Sequence, residues 1–197
     1  GIAIENGSFT NIIIMGNSAS GNGGGMTIAG SAEVSNAMIV NNTAGNSGGG
    51  IYCFYKDSPK LTNISIIGNI SNKGSAICVG NYNHGIGLYA EHLTIQNNFN
   101  NLGTIYIYDV SGVDNIINSN ILFNDYGIYN DDNSGFVPTI NNYWGHSSGP
   151  YHPTQNPSGQ GDSVNAFVNV DPWLTTPNTD APPIPAQNTT LTGTGND

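Results

Sequence analysis

The chain contains no arginine and only three lysines, Lys56, Lys60 and Lys73, against thirteen acidic residues. A net charge of −10 repels a phosphate backbone, and three lysines cannot line a basic groove, so nucleic acid is excluded as a partner. Anionic membrane surfaces are disfavoured on the same ground. No run of 18 apolar residues occurs, so direct insertion of a membrane-spanning helix is not expected. Two cysteines, Cys53 and Cys78, are too few for a disulfide framework. With no initiator methionine or signal peptide, and a start in mid-pattern at Gly1-Ile2-Ala3-Ile4, the sequence reads as an internal piece of a longer precursor.

What is abundant is glycine (27 residues), asparagine and short apolar segments, and these repeat. Ile2, Met26, Ile51, Ile77, Ile105 and Ile128 each open such a segment, at steps of 24, 25, 26, 28 and 23 residues. Two positions on stand Ile4, Ile28, Cys53, Val79, Ile107 and Asn130. Apolar pairs two apart with β-branched enrichment give strands, whose alternate residues share a face. A second series keeps the same drifting period. Asn11, Asn36, Asn63, His92, Asn120 and Asn142 precede inward pairs Ile12/Ile14, Ala37/Ile39, Ile64/Ile66, Leu93/Ile95, Ile121/Phe123 and Tyr143/Gly145. Two residues ahead of those anchors stand Phe9, Val34, Leu61, Ala90, Asn118 and Ile140. Asn17, Asn42, Asn69 and Asn98 lie six residues beyond the first four. One turn of such a chain cannot bury its own apolar edge, so successive turns must stack. The expected fold is all-β: a right-handed parallel β-helix of about six coils, with asparagine ladders or simple Asn turns at its corners.

The pattern changes after Tyr143-Trp144-Gly145. Residues 166–170 are expected as a last strand and Asp171-Pro172-Trp173-Leu174 as a cap over the open end. The expected boundaries are a capped β-helix over 1–174, then a Pro-rich linker and the start of a following module over 175–197.

Gly48-Gly49-Gly50-Ile51-Tyr52, Leu61-Thr62-Asn63-Ile64 and Ile66-Ile67-Gly68-Asn69 resemble the repeats of extracellular bacterial β-helix proteins. These are the polymorphic outer-membrane-protein type and the pectate-lyase-like parallel β-helix group. Asn141-Asn142-Tyr143-Trp144-Gly145, Ser148-Gly149-Pro150, Gly159-Gln160-Gly161-Asp162 and Asp171-Pro172-Trp173-Leu174 are similar to their closing segments. The resemblance covers residues 1–174. It implies an extracellular or cell-surface location and does not fix activity, because this architecture serves adhesins, lyases, hydrolases and stalks.

Alternation turns Ala3, Thr27, Tyr52, Cys78, Tyr106 and Tyr129 outward, with Glu5, Ala29, Phe54, Gly80, Tyr108 and Asp131 beside them. Tyr52, Phe54, Tyr106, Tyr108 and Tyr129 are candidates for an exposed sugar-binding platform, with Tyr82 in the insertion 80–85 as a wall. Proteins of the resembled group bind glycans over the corresponding sheet, although tyrosines also serve simply as strand residues. A glycoside hydrolase needs paired carboxylates, for which Asp109 and Asp131 are the candidates among Asp109, Asp114, Asp125, Asp131 and Asp132. Lyases of this group use Lys or Arg as base, and the three lysines sit in or near turns, which argues against a lyase. Ca2+ is a candidate cofactor at Asp131 and Asp132, without any EF-hand or nonapeptide spacing. His84, His92, His146 and His152 lack zinc-ligand spacing, and His92 reads as a corner residue. Cys53 faces inward and Cys78 outward, so they should not bridge.

The expectation is a non-catalytic module, secreted or at the cell surface, that binds polysaccharide or a cell-surface glycan or acts in adhesion beside neighbouring modules of its precursor. A carbohydrate-active enzyme and a rigid spacer are the alternatives.

Overall fold

The computed structural model describes residues 1–54, 58–80, 87–99, 102–108, 115–124 and 126–186. They form a parallel β-solenoid of about four turns with no helix, fewer than the six coils expected. Six strands do stack along the first wall, Ile2–Ile4, Met26–Ile28, Ile51–Cys53, Ile77–Val79, Ile105–Ile107 and Ile128–Asn130. The end turns are incomplete: the last rung adds no strand to the second wall among the described residues, and joins it through the bridge Asn120↔Tyr143 and the bonds of Asn142 to Ser119 and Ile116.

Register on the first wall is the one the repeat dictates. Ile2, Met26, Ile51, Ile77, Ile105 and Ile128 are consecutive partners, as are Ile4, Ile28, Cys53, Val79, Ile107 and Asn130. Gly48 and Gly74 precede two of these strands with φ of 66° and 58°. A Cβ on either would stand 2.5 or 2.3 Å from the carbonyl oxygen of Ile51 or Ile77, so only glycine makes this corner. The second wall is built on Glu33–Val40, Lys60–Ile67 and Tyr89–Gln96, flanked by shorter strands. Ser18–Ala19, Thr43–Ala44 and the bridges Thr43↔Ile70 and Ile70↔Phe99 make a narrow third wall. Inside, one continuous apolar core runs from Ile4 to Val170.

The second series holds for four levels and then slips. The left-handed corner residues are Asn11, Asn36, Asn63, His92, Asn118 and Asn141, at φ of 51–58°, where Asn and His are tolerated. Asn118 rather than Asn120 is therefore the fifth anchor, and Thr94 pairs with Asn120. Ile116, buried, takes the inward place assigned to Asn118, and Ser119 and Ile121 point inside. Phe123 is not an inward residue. It is 48% exposed at φ 57°, at the second corner, where neighbouring turns carry Asn97 and Gly145. The sixth anchor is Asn141, so the faces reverse there: Asn142 and Trp144 are buried, not Tyr143 and Gly145.

One residue past the second corner stands the ladder that closes the core. Asn17, Asn42, Asn69 and Asn98 each donate from Nδ2 to the Oδ1 of the next Asn, at 3.0, 3.0, 3.0 and 3.3 Å. The receiving oxygen also accepts the backbone N–H from the turn before. Asn124 continues the series, and its Nδ2 donates to Asp162 at 2.7 Å. Side chains that would be costly to bury alone are thus satisfied rung by rung.

The far end is covered. Trp144 is fully buried, Val164 bridges to Ile128, Val168–Asn169 pairs with Val137–Pro138, and Trp173 packs on the core. Residues 175–186, within the segment read as a linker, then turn back along the outside of the second wall.

Candidate functional site

Because strand alternation is strict, the outer face of the first sheet carries the two columns expected. Thr27 pairs with Tyr52, Tyr52 with Cys78, Cys78 with Tyr106 and Tyr106 with Tyr129. The aromatic rings interlock: Tyr52 stacks on Phe54 at 5.7 Å, Tyr106 stacks on Tyr129 at 5.5 Å, and Tyr108 meets Tyr106 edge-on at 4.7 Å. The Lys73 ammonium sits 4.8 Å from the ring centres of both Tyr106 and Tyr108, a cation–π contact on each.

This corrects the exposed platform. Tyr52 is 9% exposed, Tyr106 1% and Cys78 0%: they form a second small core on the outer face. Alternation gives the side of a sheet and not the depth, and the flanking rings and Lys73 cover the centre. Burial pushes the Tyr52 hydroxyl up to about 12, helped by Cys78, Tyr108 and Cys53. Burial likewise takes the Cys78 thiol to about 12, against the opposing pull of a Ser47 hydrogen bond and Lys73. Neither group is poised for proton transfer near neutrality. Phe54, Tyr108 and Tyr129 are half-buried and remain partly accessible. Tyr82 lies outside the described residues.

The same face holds a feature the sequence reading missed. Toward its first strand the outward columns become small, with Ala3 and Thr27 in one and Ala29 in the other, before rising to Phe54. The step leaves a hollow of about 370 Å³ lined by Ala3, Ile4, Glu5, Thr27, Ala29 and Phe54. Phe54 supplies an aromatic wall, Glu5 a carboxylate and Thr27 a hydroxyl. The signal was in the columns: small residues beside an aromatic on one face describe a notch.

The candidate acids are not brought together among the described residues. Asp109, Asp114 and Asp125 lie outside them. Asp131 is exposed, and Asp132 accepts the Ser134 N–H at 2.8 Å while its own N–H donates to Asn130 Oδ1 at 3.0 Å, a turn-forming arrangement. Among the described residues no group of three His, Cys, Asp or Glu side chains could hold a metal ion. His92 is a corner residue at φ 54°, as expected. The buried His152 is fixed in the cap: Nε2 donates to the Val168 carbonyl at 3.0 Å, and Nδ1 accepts from the Thr154 and Gln155 N–H groups. Cys53, in the main core, and Cys78 form no disulfide.

The architecture is that of a parallel β-solenoid. No family of known proteins, no curated protein and no solved structure matches the chain significantly.

Proposed function

We propose that the chain is a non-catalytic module of a secreted or cell-surface bacterial protein, of the pectate-lyase-like or polymorphic outer-membrane-protein-like repeat kind. It binds glycans, or acts in adhesion through them, on the outer face of its first sheet. The observation that carries this reading is the hollow beside Phe54. Its volume of about 370 Å³ lies in the range of small-ligand sites, which are mostly apolar with a few polar groups. The C–H face of a pyranose fits an aromatic wall, while Glu5 and Thr27, also in the lining, supply hydrogen-bonding groups for its hydroxyls. The half-buried rings of Tyr108 and Tyr129, further along the face, extend the surface for a longer chain. With a net charge of −10, neutral glycans are favoured over polyuronates.

The test is retention of the protein on a panel of insoluble and immobilised polysaccharides, with new reducing ends scored in parallel. Retention on a neutral glycan without new reducing ends is expected, lost on Phe54→Ala and on Ala29→Leu, which fills the hollow. Phe136→Ala, at an exposed ring elsewhere, should leave it intact. New reducing ends would favour the hydrolase, and no retention by any polymer would favour the spacer.

A further inference from the structure

Residues 175–186 form a strap across the outer face of the second wall. Asn178 anchors it: its N–H donates to Asn120 Oδ1 at 2.8 Å, Asn120 Nδ2 returns a bond to its carbonyl at 3.0 Å, and its Nδ2 donates to the Asn118 carbonyl. One level along, Thr94 Oγ1 donates to the Pro182 carbonyl and Gln96 Nε2 to the Pro185 carbonyl at 3.3 Å. A hollow of about 310 Å³ is lined by strap and wall residues together, Asn120, Ala181, Pro183 and Ile184 among them. Beneath the strap's end, Gln96 Oε1 is buried with no hydrogen-bond donor. A side-chain amide can pair with both the carbonyl and the N–H of one backbone residue, but Pro185 has no N–H to give.

Past Pro185 and Ala186 the same face continues as a trough of about 430 Å³, not covered by any described residue, along the corner between the second and third walls. Val40 and Ile67 line it together with the amides of Asn41, Gln96 and Asn97, with Ile70 and Phe99 about half exposed at its side and no charged residue in its lining. Met38, Met15 and Ile13, all exposed, extend the apolar strip. Residues 187–197 contain a single large apolar residue, Leu191, against the several apolar side chains of the strip.

We propose that the trough and the track of the strap are one binding surface for an extended segment of a partner protein, uncharged, with apolar side chains at alternate positions. The strap already shows the mode of recognition: an extended chain offers carbonyls to Thr94 and Gln96. A segment with an N–H where the strap has Pro185 satisfies Gln96 at both ends and fills the apolar trough beyond. It therefore displaces the distal strap, and Pro185 is the residue that keeps the strap replaceable. This surface is on a different wall from the glycan hollow and does not depend on it.

The experiment titrates the full chain into a fluorescein-labelled peptide, Ser-Val-Ser-Ile-Ser-Val-Ser, followed by anisotropy, with an Asp-for-Val/Ile version as control. Saturable binding of the apolar peptide alone is expected. Ile70→Asp and Phe99→Ser, both at exposed positions, should weaken it at least about tenfold, since each removes apolar contact from the trough. Asn178→Ala loosens the strap and should tighten binding, whereas Pro185→Ala gives the strap the missing N–H and should weaken it, each by about tenfold, the worth of one good hydrogen bond. Any of three results overturns the proposal: no binding to an Asn178→Ala protein that melts as the parent does, affinity indifferent to Ile70→Asp, or affinity indifferent to Pro185→Ala. A concentration-dependent dimer in sedimentation, abolished by Ile70→Asp and unaffected by peptide, would assign the strip to a second copy and overturn it too.

Discussion

The Asp162 carboxylate accepts both the Asn124 side-chain amide, at 2.7 Å, and the Asn124 backbone N–H, at 3.1 Å. The asparagine ladder therefore ends on a charge supplied by the capping segment, and the core's last rung is locked to a residue 38 positions away. Asp162→Ala leaves the Asn124 backbone N–H unpaired and takes a charged acceptor from its amide, which keeps the Ile95 and Leu122 carbonyls, and should cost about 2–3 kcal/mol, because bonds to a charged group are the stronger kind. Asp162→Asn, which keeps an acceptor, should cost about 1 kcal/mol. Guanidinium midpoints of the three proteins check the order.

A ladder interior differs from a turn former. Asn69 is fully buried; its Nδ2 donates to the Ile39 carbonyl at 2.9 Å and to Asn98, and its Oδ1 receives both donors of Asn42. Asn69→Ala should cost about 3–5 kcal/mol, since several buried groups lose partners together. Asn17, half-buried at the ladder's start, should cost about 1 kcal/mol on the same change. Equal losses in chemical denaturation would reduce the ladder to a set of turns.

Phe123 occupies a left-handed corner at φ 57° with its ring half in solvent. Such a conformation costs a bulky residue about 1–2 kcal/mol, and the turns on either side use Asn97 and Gly145 there. Phe123→Asn should raise stability by about 1 kcal/mol, read as a higher melting temperature.

These corners show where the sequence was legible and where it was not. The first wall could be read residue by residue, because its inward columns are apolar in every rung but the last. The fifth rung could not: Asn118 and Asn120 are two apart, and a period of two is unchanged by a slip of two, so Ile121 faces inward in either register. What separates the registers is Asn124, six residues after Asn118 as Asn98 is after His92. In the sixth rung, Asn141 and Asn142 stand side by side, and only packing of Trp144 decides between them. The covered rings of Tyr52 and Tyr106 depend on neighbours across the sheet, such as Lys73, that alternation does not report. The prolines of 177–185 announce an irregular chain and say nothing of the wall it lies on.

His152 makes the cap sensitive to acid. Burial lowers its pKa from 6.5, only partly offset by the Val168 carbonyl that draws its Nε2 proton. A proton on Nδ1 would face two backbone N–H donors. Below about pH 6.5 the unfolded ring takes a proton that the folded ring refuses, so this stabilisation is whole above that value and drains as pH falls. Denaturation midpoints should decline from about pH 7 to 5, and His152→Gln should flatten the decline. Glu91, its pKa lowered chiefly by the Tyr89 hydroxyl and by Asn118, adds its own loss only below 4.5.

Both thiols should be silent. Cys53 and Cys78 are buried, and Cys78 is held protonated by its surroundings. An aromatic disulfide reagent at pH 8 should label neither in the native protein and both in guanidinium. Rapid labelling of Cys78 would mean that the outer aromatic cluster opens.

A stack of turns ordinarily comes apart from its ends, because each turn answers only to its neighbours. The strap breaks that rule. By stitching Asn118 and Asn120 to Thr94 and Gln96 from outside, it makes the last turns of the spool and those before them let go together. Anything that peels residues 175–186 away would return the far end to piecemeal unravelling, and loss of amide-exchange protection would begin there.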